Sequence, residues 1–166
     1  MSHRFEPLAD QELGRFSCGV DELDDWLRRH ARHSAARGTR TYVLVDETGD
    51  VTAYAAIAPQ YVDRATLPSR FARGAPERVP SILIAKLAVD RRVQGRGVGT
   101  ELLMCVATRV LIAARMIGGK LLVVDAIDED AAGFYVHHGF VASPEVPDRL
   151  VLPFRAVAAM IGHPGP

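Results

Sequence analysis

Lys86-Leu-Ala-Val-Asp-Arg-Arg-Val-Gln-Gly-Arg-Gly-Val-Gly-Thr100 is the stretch from which the rest of the chain can be read. Ile82 to Val89 is a short run rich in Ile, Leu and Val and reads as a buried strand. Glycines follow at 95, 97 and 99, and then Val98, Leu102, Leu103, Val106, Val110 and Leu111 recur at three- and four-residue steps. An amphipathic helix therefore opens directly behind the glycines. Strand, glycine-rich turn and helix together cradle an anion. The glycines let the backbone approach a ligand closely, and the N–H groups of the first helical turn point at it with the helix dipole behind them. A plain strand-to-helix turn needs fewer glycines than this. Three at alternate positions, beside Arg91, Arg92 and Arg96, favour the anion site.

Two common phosphate loops do not fit. A Walker loop ends in Gly-Lys-Ser/Thr, and no lysine stands in this turn; a dinucleotide fingerprint wants a third glycine where Thr100 stands. Gln94, Gly97 and Gly99 instead resemble the acetyl-CoA signature of the GCN5-related N-acetyltransferases (GNAT), Gln or Arg, two residues, Gly, one residue, Gly or Ala. Leu87-Ala88-Val89-Asp90 before it, and Phe134-Tyr135 and Gly139-Phe140 after it, extend the resemblance. It implies an α/β GNAT fold: a mixed, mostly antiparallel central sheet with a splayed parallel strand pair, flanked by helices. Acetyl-CoA would enter between the strands ending at Val89 and Ala126. Backbone N–H groups of Leu87, Ala88 and Val89 would hold the acetyl carbonyl and pantetheine arm. Those of Arg96, Gly97, Val98, Gly99 and Thr100 would hold the pyrophosphate. Arg91, Arg92, Gln94, Gly95 and Phe134 complete the implied cofactor-binding set.

At 166 residues and 48% hydrophobic content the chain is predicted to form one domain over residues 1–161 with a flexible tail at 162–166. The net charge of zero gives no global attraction to nucleic acid, so any such binding has to come from local patches. Lys86 and Lys120 are the only lysines among the 20 basic residues; the rest are arginines, the better planar partners for phosphate and bases. Genomic base composition is an equally good cause of that bias. Cys18 and Cys105 form neither a disulfide framework nor a metal cluster, and Cys105 falls on the buried side of its helix. No apolar run has membrane-spanning length, and Arg4 and Glu6 stand where a signal peptide would be apolar. A metal-free cytoplasmic protein is expected.

Upstream, Phe5 to Leu8 reads as a short strand or extended arm, and Leu23, Trp26, Leu27 and Ala31 repeat with helical period. That helix is acidic at its start and basic at its end, as its dipole favours; a basic face for nucleic acid is the second reading. Thr41 to Val45 and Val51 to Ile57 are predicted to pair as a hairpin. Pro59 to Pro80 reads as a long connection. The helix from Gly97 to Met116 stops at Gly118-Gly119, Lys120 to Ala126 is the next strand, and Asp128 caps a short helix carrying Phe134 and Tyr135. A closing hairpin is predicted from Phe140 to Ala142 and Arg149 to Leu152.

Acetyl transfer needs a neutral amine, a polarised carbonyl and a proton for the departing thiolate. The resemblance places Tyr135 beside the CoA sulfur, where a phenol with an ordinary pKa near ~10 can act as general acid. No carboxylate stands out as a base; Asp90 and Asp125 read equally well as structural. An α-amine, acidic enough to be partly neutral at working pH, needs less help than a lysine.

Phe16-x-Cys18-Gly19-x-x-x-Leu23-Asp24-x-Trp26-Leu27, Arg40-Thr41-Tyr42-Val43 and Leu150-x-Leu152-Pro153 further resemble the acetyltransferase toxins of bacterial toxin–antitoxin pairs. Those enzymes acetylate the α-amino group of aminoacyl-tRNA, halt translation, are neutralised by a ribbon-helix-helix antitoxin and are commonly homodimers. On that resemblance Arg29, Arg32, Arg37, Arg40, Arg73 and Arg78 are candidate tRNA contacts. Lys86 stands where arginine is frequent, and His138 replaces an aromatic. The alternatives are the same chemistry on a small amine or protein N-terminus, and a non-catalytic acyl-CoA-binding regulator.

Overall fold

The computed structural model describes residues 2 to 162. Its strands are β1 (Arg4–Pro7), β2 (Arg40–Val45), β3 (Val51–Asp63), β4 (Arg78–Val89), β5 (Leu121–Asp125), β6 (Val141–Ala142) and β7 (Arg149–Pro153). The helices are α1 (Asp21–Arg29), α2 (Ala31–Ser34), α3 (Ser69–Ala72), α4 (Val98–Ile117), α5 (Glu129–His137) and α6 (Phe154–Gly162). The strands pair in the order β1-β2-β3-β4-β5-β7-β6, so the fold is a mixed α/β sheet flanked by helices. The pairing of β4 with β5 is parallel; that of β1 with β2, β2 with β3, and β5 and β6 with β7 is antiparallel. The parallel register runs from Ser81↔Leu121 to Ile84↔Val124, after which β4 continues to Val89.

Two compact units are present. The described part of Met1–Ala58 with Ala85–Val106 forms one; Pro59–Ile84 with the described part of Ala107–Pro166 forms the other. In the first, Phe16, Leu23, Leu27, Val43, Tyr54 and Ala88 pack together, and the Tyr54 ring stacks on Trp26 at 6.0 Å. Burial pushes the Tyr54 phenol well above its ordinary range, and its hydroxyl donates to the Leu23 carbonyl at 2.7 Å. α1 carries Asp21, Glu22 and Asp24 in its first turn and Arg28 and Arg29 in its last, the arrangement its dipole favours. The β2–β3 turn is closed by the Asp46 carboxylate, which accepts from the amides of Thr48 and Asp50 at 2.9 and 3.0 Å.

In the second unit Val62, Leu67, Val79, Leu121, Val123 and Val151 form the core. α4 ends where predicted. Gly119 there has φ +117°, and a Cβ on it would lie 2.9 Å from the Phe154 ring, so both conformation and packing demand glycine.

Three expectations change. The connection predicted over 59–80 is much shorter, because β3 runs on to Asp63 and β4 starts at Arg78. Pro59 and Pro80 sit inside strands, where a proline whose missing N–H leaves no bond unmade is tolerated; the Pro80 carbonyl still accepts from Lys120 N–H at 2.8 Å. α6, with Val157 buried, was not foreseen, and Gly162 is its last residue instead of the first of a tail. Residues 163–166 of the expected tail lie outside the described residues.

Candidate active site

The turn from β4 to α4 is held from below by one carboxylate. Asp90 is 1% exposed and accepts from Ser17 N–H at 3.2 Å, Arg92 N–H at 2.9 Å and the Arg92 guanidinium at 2.9 and 3.0 Å. Burial by itself would raise its pKa; the bonds from Arg92 and from the two backbone amides outweigh this and hold the carboxyl below its usual range. The Gln94 side-chain amide donates to the carbonyls of Val89 at 2.8 Å and Cys18 at 2.9 Å. Arg91 donates from its backbone to the Ser17 carbonyl at 2.9 Å and from its guanidinium to the Ser17 hydroxyl at 2.6 Å. Arg28 holds the Phe16 carbonyl at 2.8 Å, and buried Asp24 accepts from Cys18 N–H at 2.9 Å. Phe16 to Asp24 is therefore a brace for the glycine turn.

Beyond the brace the chain reverses through Gly95 at φ +76° and Gly97 at φ +79°, both exposed and with open space around them. The first bond of α4 that joins residue i to i−4 runs from Glu101 N–H to the Gly97 carbonyl at 3.0 Å. The amides of Val98 and Gly99 lie ahead of it at the positive end of a 20-residue helix. These backbone groups suit a diphosphate. The side chains of Arg91, Arg92 and Gln94, predicted as cofactor contacts, brace the turn. Arg96 is exposed, Thr100 and Gly99 are half-buried, and Val98 is buried. Upstream on β4, Leu87 and Val89 are half-buried while Ala88 packs into the core.

In the second unit, α5 begins where the Asp128 carboxylate accepts from Ala131 N–H at 2.8 Å. Tyr135 lies in its last turn. Its ring is 4% exposed and meets Phe134 and Phe140 edge-on, each at 5.2 Å. Burial pushes the phenol well above its ordinary range, so it stays protonated. Among the described residues its hydroxyl makes no hydrogen bond. His138 packs its ring 4.9 Å from Phe134, occupying the aromatic place; burial first, then His137, lowers its pKa and favours the neutral ring. Asp125 is bound by Arg149 at 2.8 and 2.9 Å, a structural pairing.

Of the candidate tRNA contacts, Arg29, Arg37, Arg40, Arg73 and Arg78 are exposed. Arg32 is exposed as well and has a structural task. Its guanidinium donates to the carbonyls of Ala9 at 2.6 Å and Gln11 at 2.7 Å, pinning the segment after β1. The sequence reading missed Ser17 and Cys18 as supports of the turn; the motif around Phe16 was visible, but its partner was not.

A mixed sheet with one parallel pair, and a glycine turn between β4 and α4, define an acyl-CoA transferase fold. The chain belongs to the GNAT acetyltransferase family: residues 37–142 match the family described as an acetyltransferase (GNAT) domain. It is 39% identical over 151 residues, 91% of either chain, to a tRNA-acetylating toxin of Mycobacterium tuberculosis. Among solved structures it is similar to AtaT complexed with acetyl-methionyl-tRNAfMet, with a TM-score of 0.88 and 28% identity over 96% of this chain and 99% of that one. It is also similar to a mutant AtaT toxin bound to the C-terminus of the antitoxin AtaR and acetyl-CoA, with a TM-score of 0.81 and 28% identity over 95% and 97%. The family assignment read from Gln94, Gly97 and Gly99 stands.

Proposed function

We propose that this protein is an acetyl-CoA-dependent N-acetyltransferase toxin that acetylates the α-amino group of aminoacyl-tRNA and so blocks translation. The observation that carries the proposal is the joint one at the glycine turn. The Phe16–Asp24 segment resembling the toxins is the same segment that braces the backbone cradle, and the tRNA-acetylating relative matches over 91% of the chain. Bound acetyl-CoA supplies the activated acetyl group and a thiol leaving group. The N–H groups of Val98 and Gly99, with the turn at Gly95 and Gly97, orient the diphosphate. The backbone of Leu87 to Val89 receives the thioester carbonyl. As the amine nitrogen bonds to the acetyl carbon and the carbon–sulfur bond breaks, Tyr135 gives the proton on its hydroxyl oxygen to sulfur; the amine loses one proton to water, and a proton from water restores the Tyr135 hydroxyl. A phenol kept neutral by burial can donate but is a poor base, which suits an α-amine that is already partly neutral.

A cytoplasmic location follows from the aminoacyl-tRNA reading and is part of this proposal; separately, the described residues contain no helix long and apolar enough to cross a membrane. Neutralisation by an antitoxin of the ribbon-helix-helix type, and a homodimeric state, follow from the toxin resemblance and belong to the same proposal. The deciding experiment incubates the protein with labelled acetyl-CoA and either charged or deacylated total tRNA, with small amines in parallel. Label is expected on the amino acid of charged tRNA; label confined to small amines overturns the proposal.

A further inference from the structure

Four cationic side chains of the second unit surround one shallow depression. Arg70 and Arg73 flank the end of α3, Lys120 precedes β5, and Arg155 lies in the first turn of α6. Phe71 contributes an aromatic wall, and no carboxylate lines the space. All four cations are exposed, and among the described residues none is in an ion pair. In a chain of zero net charge such a gathering is local in origin. The volume is about 70 Å³. A cofactor pocket holds ~300 Å³ or more, so the depression is on the scale of one small anionic group.

The supporting backbone is tied down before any ligand arrives. The Arg64 guanidinium holds the Ala75 carbonyl at 2.9 Å, Lys120 N–H donates to Pro80 at 2.8 Å, and Phe154 N–H donates to the Lys120 carbonyl at 2.9 Å. Flat surfaces accompany the charge. The Arg70 guanidinium stacks 4.9 Å from the Phe71 ring. An acidic peptide needs only charge. A nucleic acid offers isolated phosphates along a chain of flat bases, which guanidinium and aromatic planes match.

We infer that the depression bounded by Arg70, Arg73, Lys120 and Arg155 seats a backbone phosphate of tRNA, with the stacked Arg70 and Phe71 planes as its flat wall. The identity of the nucleic acid rests on the aminoacyl-tRNA reading; the phosphate seat does not. The test is binding of deacylated total tRNA to the full chain across a salt titration, comparing wild type with Lys120→Gln/Arg155→Gln. Each lost phosphate contact lowers the slope of log affinity against log salt by about one, so the double variant, which strips the single seat, should lose about one. The charge-keeping variant Lys120→Arg/Arg155→Lys should retain the wild-type slope, and thermal unfolding confirms that both are folded. An unchanged slope in the folded Gln variant overturns the inference. So does loss of polyglutamate binding with tRNA binding intact, which would mark an acidic protein partner. A wild type that binds tRNA through these residues but acetylates no charged tRNA would sink the proposed activity and leave the seat standing.

Discussion

At Asp90 a carboxylate nearly removed from water stays charged because four N–H donors from Ser17 and Arg92 converge on it. Its folded pKa lies below the unfolded value of about 3.9, so the stability it contributes is fully present above that pH and is lost as pH falls through the lower folded value. Asp90→Asn should cost about 1–3 kcal/mol at neutral pH, and the gap from wild type should narrow as the solution is acidified below pH ~4. Urea unfolding at a series of pH values checks this; a gap that widens in acid contradicts it. At Tyr135 burial works the other way, keeping a proton on oxygen. Tyr135→Phe should lower kcat roughly 10²-fold while leaving the acetyl-CoA dissociation constant nearly unchanged, as single-turnover rates and calorimetry would show. Cys18 is a third case. Burial, then its contact with Asp24, pushes the thiol up to about 11, so its alkylation rate should climb about tenfold per pH unit between pH 8 and 10. A rate that levels off near pH 8 would refute the assignment.

Among the elements, the glycine turn and α4 were legible from the chain, because a positive φ and a helical period are properties of neighbouring residues. Gly97, in the first unit, and Gly119, in the second, are constrained differently. At Gly97 a Cβ meets nothing within 4 Å, so Gly97→Ala pays only for its left-handed φ, about 1–2 kcal/mol, and relaxes the cradle. Its acetyl-CoA dissociation constant should rise about tenfold with the fold retained. At Gly119 the Cβ would strike Phe154, so Gly119→Ala should lower unfolding stability by about 1–3 kcal/mol. Strand ends were less legible. Pro59 and Pro80 read as loop residues because proline lacks a donor, yet a strand keeps proline where no donor is required, and only the pairing partner decides which positions those are.

For the molecule as a whole, the two units divide the candidate residues: the braced turn belongs to the first, and Tyr135 and the cationic depression to the second. Acetyl-CoA at ~100 times its dissociation constant should add about 2.7 kcal/mol to unfolding stability, measured as a concentration-dependent rise in Tm. What the sequence by itself determined was the order of strands and helices around residues 82–126, the glycine turn and the family it belongs to. Each is written in contiguous residues whose spacing and backbone preference act locally. Only the tertiary structure decided what holds that turn. Ser17 and Cys18, more than 70 residues away in the chain, close on Asp90, Arg91 and Gln94 and so brace the turn. It also drew Arg70, Arg73, Lys120 and Arg155 from three separate segments to one depression. Partners of this kind are chosen by the packing of distant segments, and no local periodicity encodes them.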